Sequence, residues 1–129
     1  EYIEVENNYV NFIRELMEYS EMEFVSVRRL GLYDSISNQI AKDKRYREIN
    51  EPLKDLDRSL RKGARIHRSK IGNYIRACLR ELAEISFENK GKGFEFDFGY
   101  DYYMHIRSSL PVEQLSQIAR QNDLFLDPR

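Results

Sequence analysis

The chain contains a single cysteine, Cys78, so no internal disulfide can form, and this usage fits a reducing compartment. The expected location is intracellular, cytoplasmic or nuclear. Only two histidines, His67 and His105, are present, and nothing shows the paired short spacings of a zinc site. No apolar run approaches the roughly 18 residues that would cross a bilayer, so no membrane insertion is expected. No glycine-rich phosphate motif occurs, and Glu95, Asp97 and Asp101 lack the calcium-loop pattern. No metal, no cofactor and no catalytic residue is therefore nominated.

The most informative absence is of acid between Arg58 and Arg80. That stretch holds eight cations, Arg58, Arg61, Lys62, Arg65, Arg68, Lys70, Arg76 and Arg80, bracketed by Asp57 and Glu81. Placed on a helix, Leu60, Ala64, His67, Ile71, Ile75, Cys78 and Leu82 share one side and most of the arginines the other. Such a row of cations would be roughly 30 Å long at about 1.5 Å per residue. It requires the helix to persist through Gly63 and Gly72, each costing about 1 kcal/mol relative to alanine. The other end of the chain is the reverse: residues 1–24 carry seven glutamates and one arginine, Arg14. A chain so polarised can satisfy its basic ridge internally, with a second copy, or with an anionic partner.

What is present reads as one domain spanning residues 1–129, part of a larger protein. With 41% hydrophobic and 33% charged residues, the composition is globular. Tyr9, Phe12, Ile13, Leu16 and Met17 predict a first helix over 8–20. Phe24, Val25 and Val27 fit a strand or a buried helix, and are read as helix over 23–30, with another over 32–43. Asn50 and Pro52 suit a helix start, after which spacing near 3.6 from Leu53 to Ile85 predicts one long helix, or two meeting between Gly63 and Ser69. Phe94, Phe96 and Phe98 alternate with acids, which signals a strand; Tyr100–Ile106 is either its returning partner or a further helix. A last helix is expected over 111–121, opened by Ser108 or Ser109 and Pro111, and followed by the apolar tail from Leu124. The fold class expected is mainly α: a compact multi-helix bundle, all-alpha apart from a small β-hairpin around 94–106.

The function this implies is non-catalytic binding of a nucleic-acid backbone, RNA or DNA, by Arg58, Arg61, Lys62, Arg65, Arg68, Arg76 and Arg80, since guanidinium groups bind phosphate bidentately. The alternative is a protein-interaction or oligomerisation domain in which the ridge meets an acidic protein partner or a second copy in a homo-oligomer. A helical ribonuclease is a third reading, resting on Arg61 and His67 as phosphate clamp and proton carrier.

Overall fold

Alternation of buried and outward residues is the mark of a strand with one covered face, and it governs much more of this chain than residues 94–98. In the computed structural model, which describes residues 2–99 and 102–126, Val25 and Val27 are buried in β1 (Phe24–Gly31), Ile66 in β2 (Arg65–His67) and Ile85 and Phe87 in β3 (Glu84–Asn89). Phe94 and Phe96 are buried in β4 (Phe94–Phe98), and β5 (Met104–Arg107) returns beside it. The five strands form one antiparallel sheet in the order β2-β1-β3-β4-β5.

Helices cover the inward face. The long first helix, α1 (Tyr2–Tyr19), buries Val10, Phe12, Ile13, Leu16 and Met17, the stripe its spacing implies. Two shorter helices, α2 (Ile36–Lys42) and α3 (Arg47–Asn50), lead into a 3₁₀ segment, Glu51–Arg58. Then α4 (Ile71–Leu79) packs against α1, and α5 (Val112–Gln121) closes the layer through Leu115, Ile118 and Ala119. Gly72 permits the close approach of α4 to α1: a Cβ there would sit 3.3 Å from Arg14 Nη2 and 3.5 Å from Val10 Cγ1. Its role is packing, not access of a ligand to a basic surface.

The architecture is mixed α/β, which corrects the mainly α, all-alpha bundle expected from periodicity. The long helix over 53–85 does not exist. Its first part is the 3₁₀ segment, its middle is a turn and β2, and only Ile71–Leu79 is α-helical. The chain breaks at Gly63, whose φ of +88° belongs to glycine and not to a helix. The Gly63 N–H donates to Val27 O at 2.7 Å, so the β1 edge captures the segment before a helix can continue through it. The helix expected over 23–30 is β1. The hairpin alternative for 94–106 is the one adopted, with Phe98 opposite Met104 and Phe96 opposite Ile106; Tyr100 and Asp101, where the return was placed, lie outside the described residues. The final helix starts with Pro111 as its cap, and neither Ser108 nor Ser109 caps it.

Asp57 fixes the start of α2 from a distance. Its carboxylate accepts from Ile36 N at 2.9 Å and Ser37 N at 2.8 Å, beside the local cap in which Ser35 Oγ accepts from Asn38 N. Burial pushes the Asp57 carboxyl up, but the hydrogen bonds from Ser37 and Ile36 outweigh it, and the net pKa lies below its ordinary 3.8. A carboxyl depressed on folding stabilises above its unfolded pKa, and that contribution is lost as pH falls through the folded value. Asp57→Ala is therefore expected to cost about 1 kcal/mol at pH 7. The gap to wild type should narrow as pH falls below the ordinary carboxylate range, read by thermal melts from neutral to acid pH.

Cys78 is buried, and burial pushes its thiol up to about 12. It is expected to resist a thiol reagent at pH 8 in the native protein and to react fully in denaturant, counted by absorbance of the released chromophore.

Candidate interaction face of the sheet

The cations singled out from sequence do not form one row. Arg76 and Arg80 turn inward to Glu6, a carboxylate only 2% exposed. Arg80 makes a bidentate pair through Nε and Nη2, both at 2.8 Å, and its Nη1 donates to Ile49 O and Asn50 Oδ1. Arg76 donates to Glu6 Oε1 at 3.0 Å and to Asn7 Oδ1 at 2.6 Å. Arg68 donates to Met22 O. Arg58, Arg61 and Lys62 are exposed in and after the 3₁₀ segment, and Arg65 lies on β2 with its guanidinium 4.2 Å above the Phe24 ring. The ribonuclease pair is also separated in role: His67 sits on β2, with Nδ1 2.8 Å from Ser69 Oγ and its ring edge-on to Phe24.

What the fold does assemble is the outward face of the sheet. Residues paired across an antiparallel ladder point to the same side. One row therefore runs Arg65, Ser26, Glu88, Glu95, Arg107 across all five strands. Asp97 and His105 form a second cross-strand pair beside it, and Arg29 is opposite Ser86. A bulge between Val27 and Arg29 inserts Arg28 as an extra residue. Its guanidinium reaches Glu95 at 3.3 Å, and Arg107 holds the same carboxylate at 3.2 Å from the other side. His105 Nδ1 lies 3.0 Å from Asp97 Oδ1. These side chains face water: Arg107 is 80% and His105 65% exposed.

Comparison with family models, curated proteins and solved structures finds no match. The chemistry of the face must therefore be read from its own groups. Ser86, Asp97 and His105 share a composition with hydrolytic triads but not their order. Ser86 Oγ points 3.5 Å away at the carboxylate, and the carboxylate stands between serine and histidine. A nucleophilic serine needs the imidazole to take its proton, so this trio is a polar cross-strand ladder. Among the described residues, no three His, Cys, Asp or Glu side chains converge as metal ligands, and no helix is long and apolar enough to cross a membrane. The depression between Arg28 and Arg107 holds about 150 Å³, below the roughly 300 Å³ at which small-molecule pockets begin.

Nothing in the sequence groups Glu88, Glu95, Arg107 and His105, which lie on three different strands. The strand signal was there in Glu-Ile-Ser-Phe-Glu from Glu84 and in Met-His-Ile-Arg from Met104, both of period two. Which of these residues meet is set by strand order, which no local pattern encodes.

Proposed function

We propose that the protein is a non-catalytic protein-interaction domain that receives its partner on the uncovered face of the sheet. The observation that carries this reading is the balance of charge there. Arg29, Arg65 and Arg107 stand in fixed registers among Glu84, Glu88, Glu95 and Asp97, and the bulge adds Arg28, which reaches Glu95. A polyanion laid across the face would meet as many carboxylates as guanidinium groups and gain little. A protein surface can match both signs position by position. Glu88 opposes Glu95, a like-charged pair that costs stability, and Arg28 and Arg107 both end on Glu95 rather than on Glu88. A partner cation between the two would relieve that repulsion. Half-exposed Phe24 under Arg65 supplies an apolar anchor at the margin of the face.

A photo-reactive amino acid at Ser26 tests this in cells that make the protein. The expected result is a discrete cross-linked protein, absent when the same group replaces Glu113 on α5 and lost in an Arg29→Glu, Glu88→Lys variant that folds normally. Fluorescence anisotropy with unrelated single- and double-stranded probes at about 0.1 M salt should show no binding. Nucleic-acid binding abolished by Arg65→Glu would overturn the reading, as would the absence of any cross-link from Ser26.

A further inference from the structure

The core is full under Phe94 and Phe96 of β4 and thins at Phe98 and across β5. Phe94 and Phe96 are 3% and 2% exposed, whereas the next inward residues along the sheet, Met104 and Ile106, are only half-buried. Beyond them lies a cavity of about 660 Å³ bounded by Tyr9 and Phe12 of α1, Met104 and Ile106 of β5, and Leu124 and Leu126 after α5. Phe125 stands at its rim, 89% exposed. The Tyr9 hydroxyl donates to Tyr102 O, which ties α1 to the approach of β5 and holds one wall in place.

β5 is also the last strand of the sheet, and among the described residues nothing pairs with its far edge. Antiparallel ladders alternate between residues that bond the neighbour and residues that turn their N–H and C=O away. Gly99 N donates to Tyr103 O at 2.6 Å, so Tyr103, His105 and Arg107 bond toward β4. Met104 and Ile106 then present their backbone groups to the open edge. A strand added there would lay its inward side chains into the cavity and its outward side chains beside His105 and Arg107.

We infer that the open edge of β5 accepts an extended segment of a partner protein in which apolar residues alternate with acidic ones. This goes beyond docking on the sheet face and stands without it, because it uses the backbone edge and the cavity. The chain itself shows what β5 pairs with. On its occupied edge, β4 reads Phe-Glu-Phe-Asp-Phe, with Glu95 opposite Arg107, Asp97 opposite His105, and Phe96 and Phe98 opposite Ile106 and Met104. The open edge offers the same Arg107 and His105 side chains and the same apolar side chains to a second strand. A second copy of β5 is the poorer occupant, since antiparallel self-pairing would set Arg107 and His105 of the two copies against each other.

A fluorescein-labelled, acetylated heptapeptide alternating glutamate and leucine tests the inference by anisotropy. It should bind at least tenfold more tightly than the lysine–leucine counterpart. N-methylation of alternate peptide bonds on the edge-facing side should abolish binding, since addition to a sheet edge runs through those N–H groups. Arg107→Glu together with His105→Glu should reverse the charge preference while leaving the circular dichroism spectrum unchanged. Binding that survives N-methylation, or no binding of either peptide at millimolar concentration, would overturn the proposal. So would a dimer in light scattering that the peptide fails to displace.

Discussion

Glu6→Ala is expected to destabilise the protein by about 3–5 kcal/mol, the cost of leaving buried charge without its partner. Glu6 sits on α1, Arg76 and Arg80 on α4, and the Arg80 side chain is only 15% exposed. Three of the arginine N–H groups end on this one carboxylate, so its removal strands two guanidinium groups at the seam between the helices. A urea titration followed by circular dichroism should show the midpoint falling by about 2 M for a domain of this size. Glu6→Gln keeps the shape and one acceptor, and should lose less. Replacing all three together, Glu6→Leu with Arg76→Met and Arg80→Met, should recover most of the loss, because apolar groups of similar volume need no partner. A single-site cost below about 1 kcal/mol would instead match a surface ion pair.

That network decides how the polarity of the sequence is used. Seven glutamates in residues 1–24 and an acid-free stretch from Arg58 to Arg80 are complementary on paper, and at Glu6 the molecule joins them. Only one of the seven is consumed there. Arg58, Arg61, Lys62 and Arg65 stay exposed, but at the end of the 3₁₀ segment, on a turn and on a strand rather than along one α-helix. The residues legible in advance were those fixed by strong local signals: the buried stripe of α1, the strand at Phe94–Phe98 and the helix ending at Gln121. What misled was averaging. Val25 and Val27, Ala64 and Ile66, and Ile85 and Phe87 each stand two apart, the spacing of a strand. From Leu53 to Ile85, however, Leu60, Ala64, Ile71, Ile75 and Leu82 fall near multiples of 3.6, and that longer stripe hides Ile66, which stands about 200° from Ala64 on a helix. The edge of β1 settles the ambiguity by bonding to Gly63, a long-range contact that periodicity does not contain. The outward face was illegible for the same reason. Glu88, Glu95 and Arg107 form a row only after three strands are set in register.

Glycine at the ends of three helices should produce the largest gain in stability. Met22 N donates to Met17 O at 2.7 Å, Leu82 N to Ala77 O at 2.9 Å, and Leu124 N to Ala119 O at 2.9 Å. Each bond spans five residues and closes α1, α4 and α5 with the same C-terminal motif, in which the residue before the donor must be left-handed. Those residues are Glu21, Glu81 and Asp123, at φ of +55°, +61° and +56°. A side chain in that conformation costs about 1–2 kcal/mol, of which glycine returns part to the unfolded chain through its greater freedom. A carboxylate at a helix C-terminus adds about 0.3–1 kcal/mol of unfavourable interaction with the helix dipole. Glu21→Gly, Glu81→Gly and Asp123→Gly should each stabilise by about 1 kcal/mol. Because they close three different helices, they should combine to about 2–3 kcal/mol. The melting temperature would rise by roughly 8–12 °C. Alanine at the same positions separates the two causes, since it removes the charge and keeps the Cβ. If alanine matches glycine, electrostatics accounts for the gain. If alanine gains little and glycine the full amount, the strain lies in the left-handed backbone, and the acids stand there at a cost the fold does not require.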